Sequence, residues 1–218
     1  MKHLIFILMA FALCAGSCIN IYVSNAPIEQ RNIEITGSAD AISVSHGIDV
    51  VVDATLAQND VRITTHNDII DYVKVYVEDS TLNIELDAPR PVSTSKLEVR
   101  IPKFDYSTLA LSGGAEFSDN GYRGKSLTIA ASGGAEVDID GEVDNLTAAA
   151  SGGVELSLDE LCVANANIEA SGGAEVDVMV TTSLIINASG GADVSYNGNP
   201  MRVDISKSGG ATVEHDND

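Results

Sequence analysis

Five acidic residues return at a near-constant interval along the C-terminal half of the chain: Glu116, Glu136, Glu155, Glu175 and Asp193. Each stands two places after a Ser-Gly-Gly triplet. Carboxylates spaced so regularly can be gathered into one row, and such a row has four chemistries open to it, the docking of a basic partner among them. It can be a solvated face that keeps the protein soluble. It can hold hard cations such as Ca2+, which favour several oxygen ligands. Its acids can also work in pairs on a polysaccharide, one as general acid and one as base or nucleophile. The surrounding residues choose among these. Between Leu127 and Met201 there are twelve carboxylates and no Lys, Arg or His. A sugar-cleaving groove needs basic or aromatic side chains as well, so no catalytic residue is assigned and a polysaccharide-acting enzyme stays an alternative. The Ca2+-binding nonapeptide of secreted β-helices is missing too. The row therefore reads first as a solvated acidic face, with Glu116, Glu136, Glu155, Glu175 and Asp193 as weak Ca2+ candidates and no other cofactor. His46, His66 and His215 stand in no zinc or nucleophile motif.

The elements that must position this row are written in the same repeat. Six triplets begin at Ser112, Ser132, Ser151, Ser171, Ser189 and Ser208, at intervals of 20, 19, 20, 18 and 19 residues. Within each copy the period is two. Leu127, Ile129, Ala131, Ala135, Val137 and Ile139 share one parity, while Ser132, Glu136, Asp138 and Asp140 share the other. Strict alternation means strands with one face in a core and one in water. At about 3.3 Å per residue, one copy traces roughly 60 Å, a plausible circuit for one coil of a parallel β-helix. Successive coils would lie about 4.8 Å apart and stack like residues on like. The first glycines of the triplets, Gly113, Gly133, Gly152, Gly172, Gly190 and Gly209, fall on the inward parity and are read as structural corners where a Cβ would not fit. A phosphate-binding loop would need a following helix and a Lys, and neither is there.

Residues 30–108 also read as strands, without the triplet, forming either the start of the β-helix or a cap on it. Ahead of them, Lys2 and the apolar run Leu4 to Leu13 lead into Ala15-Gly16-Ser17-Cys18. The run is too short to span a bilayer and reads as a signal peptide over residues 1–17. Its end predicts lipidation at Cys18, with 18–29 as anchor and linker. Export, attachment to a membrane through that lipid, and an envelope location follow as expectations. Cleavage there leaves Cys162 as a lone thiol, expected to be a buried small hydrophobe between Leu161 and Val163. A formal net charge of −20 argues against nucleic-acid binding, because phosphate contacts need Lys and Arg. In the last copy Lys207 falls on the inward parity, in the place of Ala131 and Ala150. A buried unpaired ammonium is costly. Lys207 is therefore expected at the open end of the stack, with the polar tail from Glu214 onward shielding that end from other strands.

The segment Leu-Glu-Val-Arg-Ile-Pro (Leu97 to Pro102) followed by serial Ser-Gly-Gly triplets resembles the auto-transporter adhesin family, also called the head GIN domain. The resemblance covers roughly residues 30–215. It implies an all-β parallel β-helix of the bacterial envelope, an outer-membrane lipoprotein in keeping with Cys18, that binds a protein or glycan partner without catalysis. It also leaves a lipid- or Ca2+-binding structural role as a second possibility. The family brings no catalytic motif to carry over.

Overall fold

A computed structural model of the chain describes residues 21–216. The signal segment and Cys18 lie outside the described residues. The first strands are β1 (Tyr22–Val23), β2 (Ile28–Glu34), β3 (Ala41–Val44), β4 (Asp49–Asp53) and β5 (Asp60–His66). A 3-10 turn at Ile70–Tyr72 leads to β6 (Val73–Glu78), β7 (Thr81–Leu86), β8 (Val92–Ser93), β9 (Leu97–Pro102) and β10 (Thr108–Leu111). Four long strands follow: β11 (Glu116–Gly133), β12 (Glu136–Gly152), β13 (Glu155–Gly172) and β14 (Glu175–Ala188). The chain ends with β15 (Asp193–Asn197), β16 (Arg202–Lys207) and β17 (Thr212–His215). This is a parallel β-solenoid.

Each coil has two faces. On the first, the acidic face, the parallel order is β9–β4–β11–β12–β13–β14–β15–β17. On the second it is β7–β3–β10, then the latter halves of β11 to β14, then β16. The long strands cross from one face to the other at bulges, such as that between Asp119 and Tyr122. The two-residue period becomes packing directly. Phe117, Val137, Leu156, Val176 and Val194 form one buried column, and Leu109, Ile129, Ala148, Ile168 and Ile186 face them from the other sheet. Each large aliphatic side chain so buried contributes about 1.5–3 kcal/mol.

The N-terminal half joins parallel and antiparallel pairing. β3 and β4 are a coil of the same stack. At its base the stack turns antiparallel: β5 lies between β2 and β9, and β6 forms a hairpin with β7. These strands, with buried Ile69 and Ile70 at the 3-10 turn, close that end. β1 is held against it by β8, by a hydrogen bond from the Tyr22 hydroxyl to Asp68, and by Arg90 lying 4.6 Å from the Tyr22 ring centroid.

The corners differ from the alternation in one respect. The first glycine of each triplet shares the parity of the core alanines but is exposed, because the chain turns there instead of continuing as a strand. Gly133 has φ +83° and Gly152 φ +94°, a backbone region that favours glycine. The restriction comes from the coil below. A Cβ on Gly133 would lie 2.8 Å from the carbonyl oxygen of Gly113, and one on Gly152 would lie 2.7 Å from that of Gly133.

Register also reveals a seventh copy. β3 aligns Val44 with Leu111, and β4 aligns Asp49 with Glu116. Ser45-His46-Gly47-Ile48-Asp49 therefore stacks under Ser112-Gly113-Gly114-Ala115-Glu116. His46 has φ +68° where the other copies have glycine, and its Nδ1 sits 2.7 Å from the Ser45 hydroxyl. A non-glycine residue pays roughly 1–2 kcal/mol for that conformation. We expect His46→Gly to raise thermal stability by a few degrees in a melting experiment; a lowered melting temperature would show that the imidazole contacts outweigh the strain.

Cys162 differs from its expectation as well. Leu161 and Val163 are buried, but the thiol is exposed, since it lies on the outward side beside the bulge between Leu158 and Cys162. Lys207 lies fully at the surface of the last coil, beside Ala188 in β14, and joins no ion pair among the described residues.

Candidate binding faces

The register places the five sequence-marked acids in one column. Glu116 aligns with Glu136, Glu136 with Glu155, Glu155 with Glu175, and Glu175 with Asp193. Two further members, Asp49 and Glu98, extend it toward the closed end. They lack a triplet of their own, so only the three-dimensional register exposes them. Beside the column runs another, in which Ser118, Asp138, Ser157, Asp177 and Ser195 alternate and Glu214 follows. The alternation keeps acids of this second column two coils apart and limits repulsion.

The face is not electrically uniform. At its base Lys96 lies 2.8 Å from Glu98, and Arg100 lies 2.8 Å from Glu98 and 3.5 Å from Asp53. Burial works against ionisation of Glu98, but Arg100 and Lys96 outweigh it and hold its carboxyl low. Asp53 is held low by the Thr55 hydroxyl and amide and by Arg100. Further along, among the described residues, no Lys or Arg forms an ion pair with the column. Burial, then Asp49 and Glu136, push Glu116 up; burial, then Glu175 and Asp159, push Asp177 up. Asp49 is raised by burial and Glu98 despite Lys96.

The signs of these shifts define a pH profile. Asp49, Glu116 and Asp177 have folded values above their unfolded ones, so ionising them costs stability. That cost disappears as pH falls toward the ordinary carboxylate range. Glu98 and Asp53 are shifted the other way, and their stabilisation is lost only as pH falls through their lowered values. The melting temperature should therefore rise as pH is brought from 7 toward about 5 and fall below about 4. A steady fall from pH 7 downward would contradict this assignment. Among the described residues, no three His, Cys, Asp or Glu side chains converge on a point that could hold a metal ion. The column offers its carboxylates singly, one per coil.

The second face has the opposite character. Its outward columns are Thr108, Thr128, Thr147, Asn167 and Ile185, then Ala110, Ala130, Ala149, Glu169 and Asn187. Small residues here leave a shallow groove of about 610 Å³ that crosses the coils from Ser43 to Asn187. The corner serines Ser112, Ser132, Ser151, Ser171 and Ser189 line it, and Glu169 is its one ionisable group. The repeat pattern contained this face as plainly as the acidic one.

At the junction of the closed end and the coils lies a cluster that the repeat pattern concealed. Asp119 occupies the inward place that Ile139 fills one coil later, and its side chain is fully buried. It accepts hydrogen bonds from Lys103 and, at 2.8 Å, from the Tyr106 hydroxyl. Tyr122 donates to the Tyr106 carbonyl at 2.8 Å, and the two rings lie 5.0 Å apart. Burial, and then the Asp119 charge, push the Tyr106 phenol far up; the same two causes push Tyr122 up to about 12. Both phenols are thus firmly protonated donors, which suits structural hydrogen bonds and not proton transfer at neutral pH.

The fold is shared with solved structures of low sequence identity. A putative adhesin from Bacteroides fragilis superposes with a TM-score of 0.73 at 18% identity, covering 89% of this chain and 99% of its own. A putative lipid binding protein from Parabacteroides distasonis gives 0.59 at 16% identity, covering 91% and 100%. A putative adhesin from Parabacteroides merdae gives 0.53 at 16% identity, covering 90% and 99%. No curated protein matches the sequence significantly. The family model described as putative auto-transporter adhesin, head GIN domain, matches residues 38–200, from β3 to the end of the fifteenth strand and its following turn, and this chain belongs to that family.

Proposed function

We propose that this chain is a non-enzymatic binding protein of the cell envelope, and that its weakly charged, small-residue face is the surface that meets the partner. The observation that carries this is the groove across stacked Ala and Ser columns. Small side chains let an extended chain approach the sheet closely, and one coil repeats the next every 4.8 Å or so. Hydroxyls in register suit a partner that is itself repetitive and rich in hydrogen-bonding groups, and a glycan strand fits that description best. The acidic face keeps the solenoid soluble and discourages anionic surfaces from competing. The adhesin names given to family members agree with a binding role.

Anchoring completes the reading. With Tyr22 pinned to the closed end, a lipid on Cys18 would hold the protein by that end and leave the coils projecting. Two measurements test the proposal. Exported protein should bind particular glycans saturably in an array screen and release no cleavage product. Replacing Cys18 with Ala should move it from the membrane fraction to the soluble one. Turnover of a bound polysaccharide would replace the binding role with an enzymatic one, and unchanged membrane partitioning would remove the anchor.

A further inference from the structure

The two ends of the solenoid are finished differently. The N-terminal end is built of antiparallel strands, with β2 and β6 as its edges. At the C-terminal end β16 pairs with β14 and, among the described residues, has no neighbour on its other edge. All six of its residues are exposed, and the inward-parity side chains Met201, Val203 and Ile205 are 86%, 41% and 39% exposed. The described part of the tail does not cover them. Glu214, His215 and Asp216 run on the other face, where His215 stacks on Tyr196 at 4.5 Å and Ser195 bonds to Asp216.

We propose that β16 is the interface for a second copy of this chain, joined edge to edge about a two-fold axis. Three features fix the occupant and its register. The Ser208 amide donates to the Ala188 carbonyl, so even-numbered residues of this strand turn their amides toward β14. The amides and carbonyls of Val203 and Ile205 therefore point to the free edge, where an antiparallel strand can pair with them. With Val203 opposite the partner copy's own Val203, Met201 meets Ile205 on the core side, and the solenoid cores become continuous. On the outer side the same register sets Arg202 opposite Asp204 twice, in the close, non-hydrogen-bonded type of pair. Arg202 and Lys207 are the only Lys or Arg beyond Lys125, so every such cation after the first long strand stands in β16.

The two-fold symmetry sets the stoichiometry. Each copy spends the same β16 edge on the other, so the contact is self-complementary and the assembly stops at two. Resting on the anchoring just proposed, such a dimer has its two lipid-bearing ends pointing apart. It would join two facing membranes and not two molecules side by side in one.

The test is a charge-swap series in exported protein carrying Cys18→Ser, so that no acyl chain drives association. Sedimentation velocity should show a concentration-dependent dimer. Arg202→Asp or Asp204→Arg turns both opposite-charge pairs into like-charge pairs and should weaken it at least tenfold, while the double exchange R202D/D204R should restore it to within about threefold. At concentrations where all are monomeric, all four substitution states should melt alike, since these side chains are at the surface. Monomer at every concentration up to about 1 mM, open-ended growth, or a dimer indifferent to the exchanges would overturn the proposal. Vesicles bearing the acylated protein should cluster, and the single exchanges should disperse them. Failure to cluster despite a dimer in solution would overturn the anchoring geometry and leave the interface standing.

Discussion

Gly133→Val should lower the stability of the solenoid by about 3–5 kcal/mol. Two costs combine. Gly133 holds φ +83°, which a β-branched residue adopts only with strain. Its Cβ would also stand 2.8 Å from the Gly113 carbonyl oxygen, which is backbone and cannot turn aside. Gly172, at φ +80° and with the Gly152 amide nitrogen 2.9 Å from the added atom, should behave alike. Gly134, the next residue in the first of these triplets, is the control. Its nearest neighbour would be 3.8 Å away and its φ is not positive, so Gly134→Ala should change little. For a chain of this size the larger loss corresponds to a fall in melting temperature of about 10 °C. Equal melting of the Gly133 and Gly134 variants would show that the triplet is not the tight corner described here.

Lys103→Met should be nearly as damaging, by about 3–5 kcal/mol. It leaves the Asp119 carboxylate in the core with only the Tyr106 hydroxyl as partner, and an uncompensated buried charge costs about that much. The paired replacement Lys103→Met with Asp119→Leu should recover most of the loss, because the neighbouring coil already carries Ile139 in the equivalent place. Chemical denaturation of the single and double variants measures both. A single variant with wild-type stability would mean that Asp119 is not dependent on Lys103.

The contrast between these two sites shows what the sequence could and could not convey. A repeat writes its own register: six triplets and a two-residue period are enough to stack Glu116 on Glu136 and to alternate core with solvent. Where the repeat degrades, the signal goes. Ser45-His46-Gly47 is a true corner, but histidine replaces glycine and 67 residues separate it from Ser112, so only backbone register identifies it. Asp119 breaks the apolar parity in a single coil, and its partner Lys103 comes from a segment with no repeat at all. The parity of Gly133 was legible but its side was not, since alternation assumes a straight strand and the corner turns one residue earlier. The groove was present in the sequence as columns of Ala and Ser. Its shape depends on how closely the coils approach, which no spacing states.

The measurement closest to the central claim compares the two faces directly. Ala130→Arg with Ala149→Arg places two long side chains in the groove, and Glu136→Gln with Glu155→Gln neutralises two members of the acidic column. Titration calorimetry with the best ligand from the glycan screen should show saturable binding lost in the groove variant and kept in the acidic one, with both folded. Binding that survives the arginines but disappears with the glutamines would contradict the account and move the partner to the acidic face.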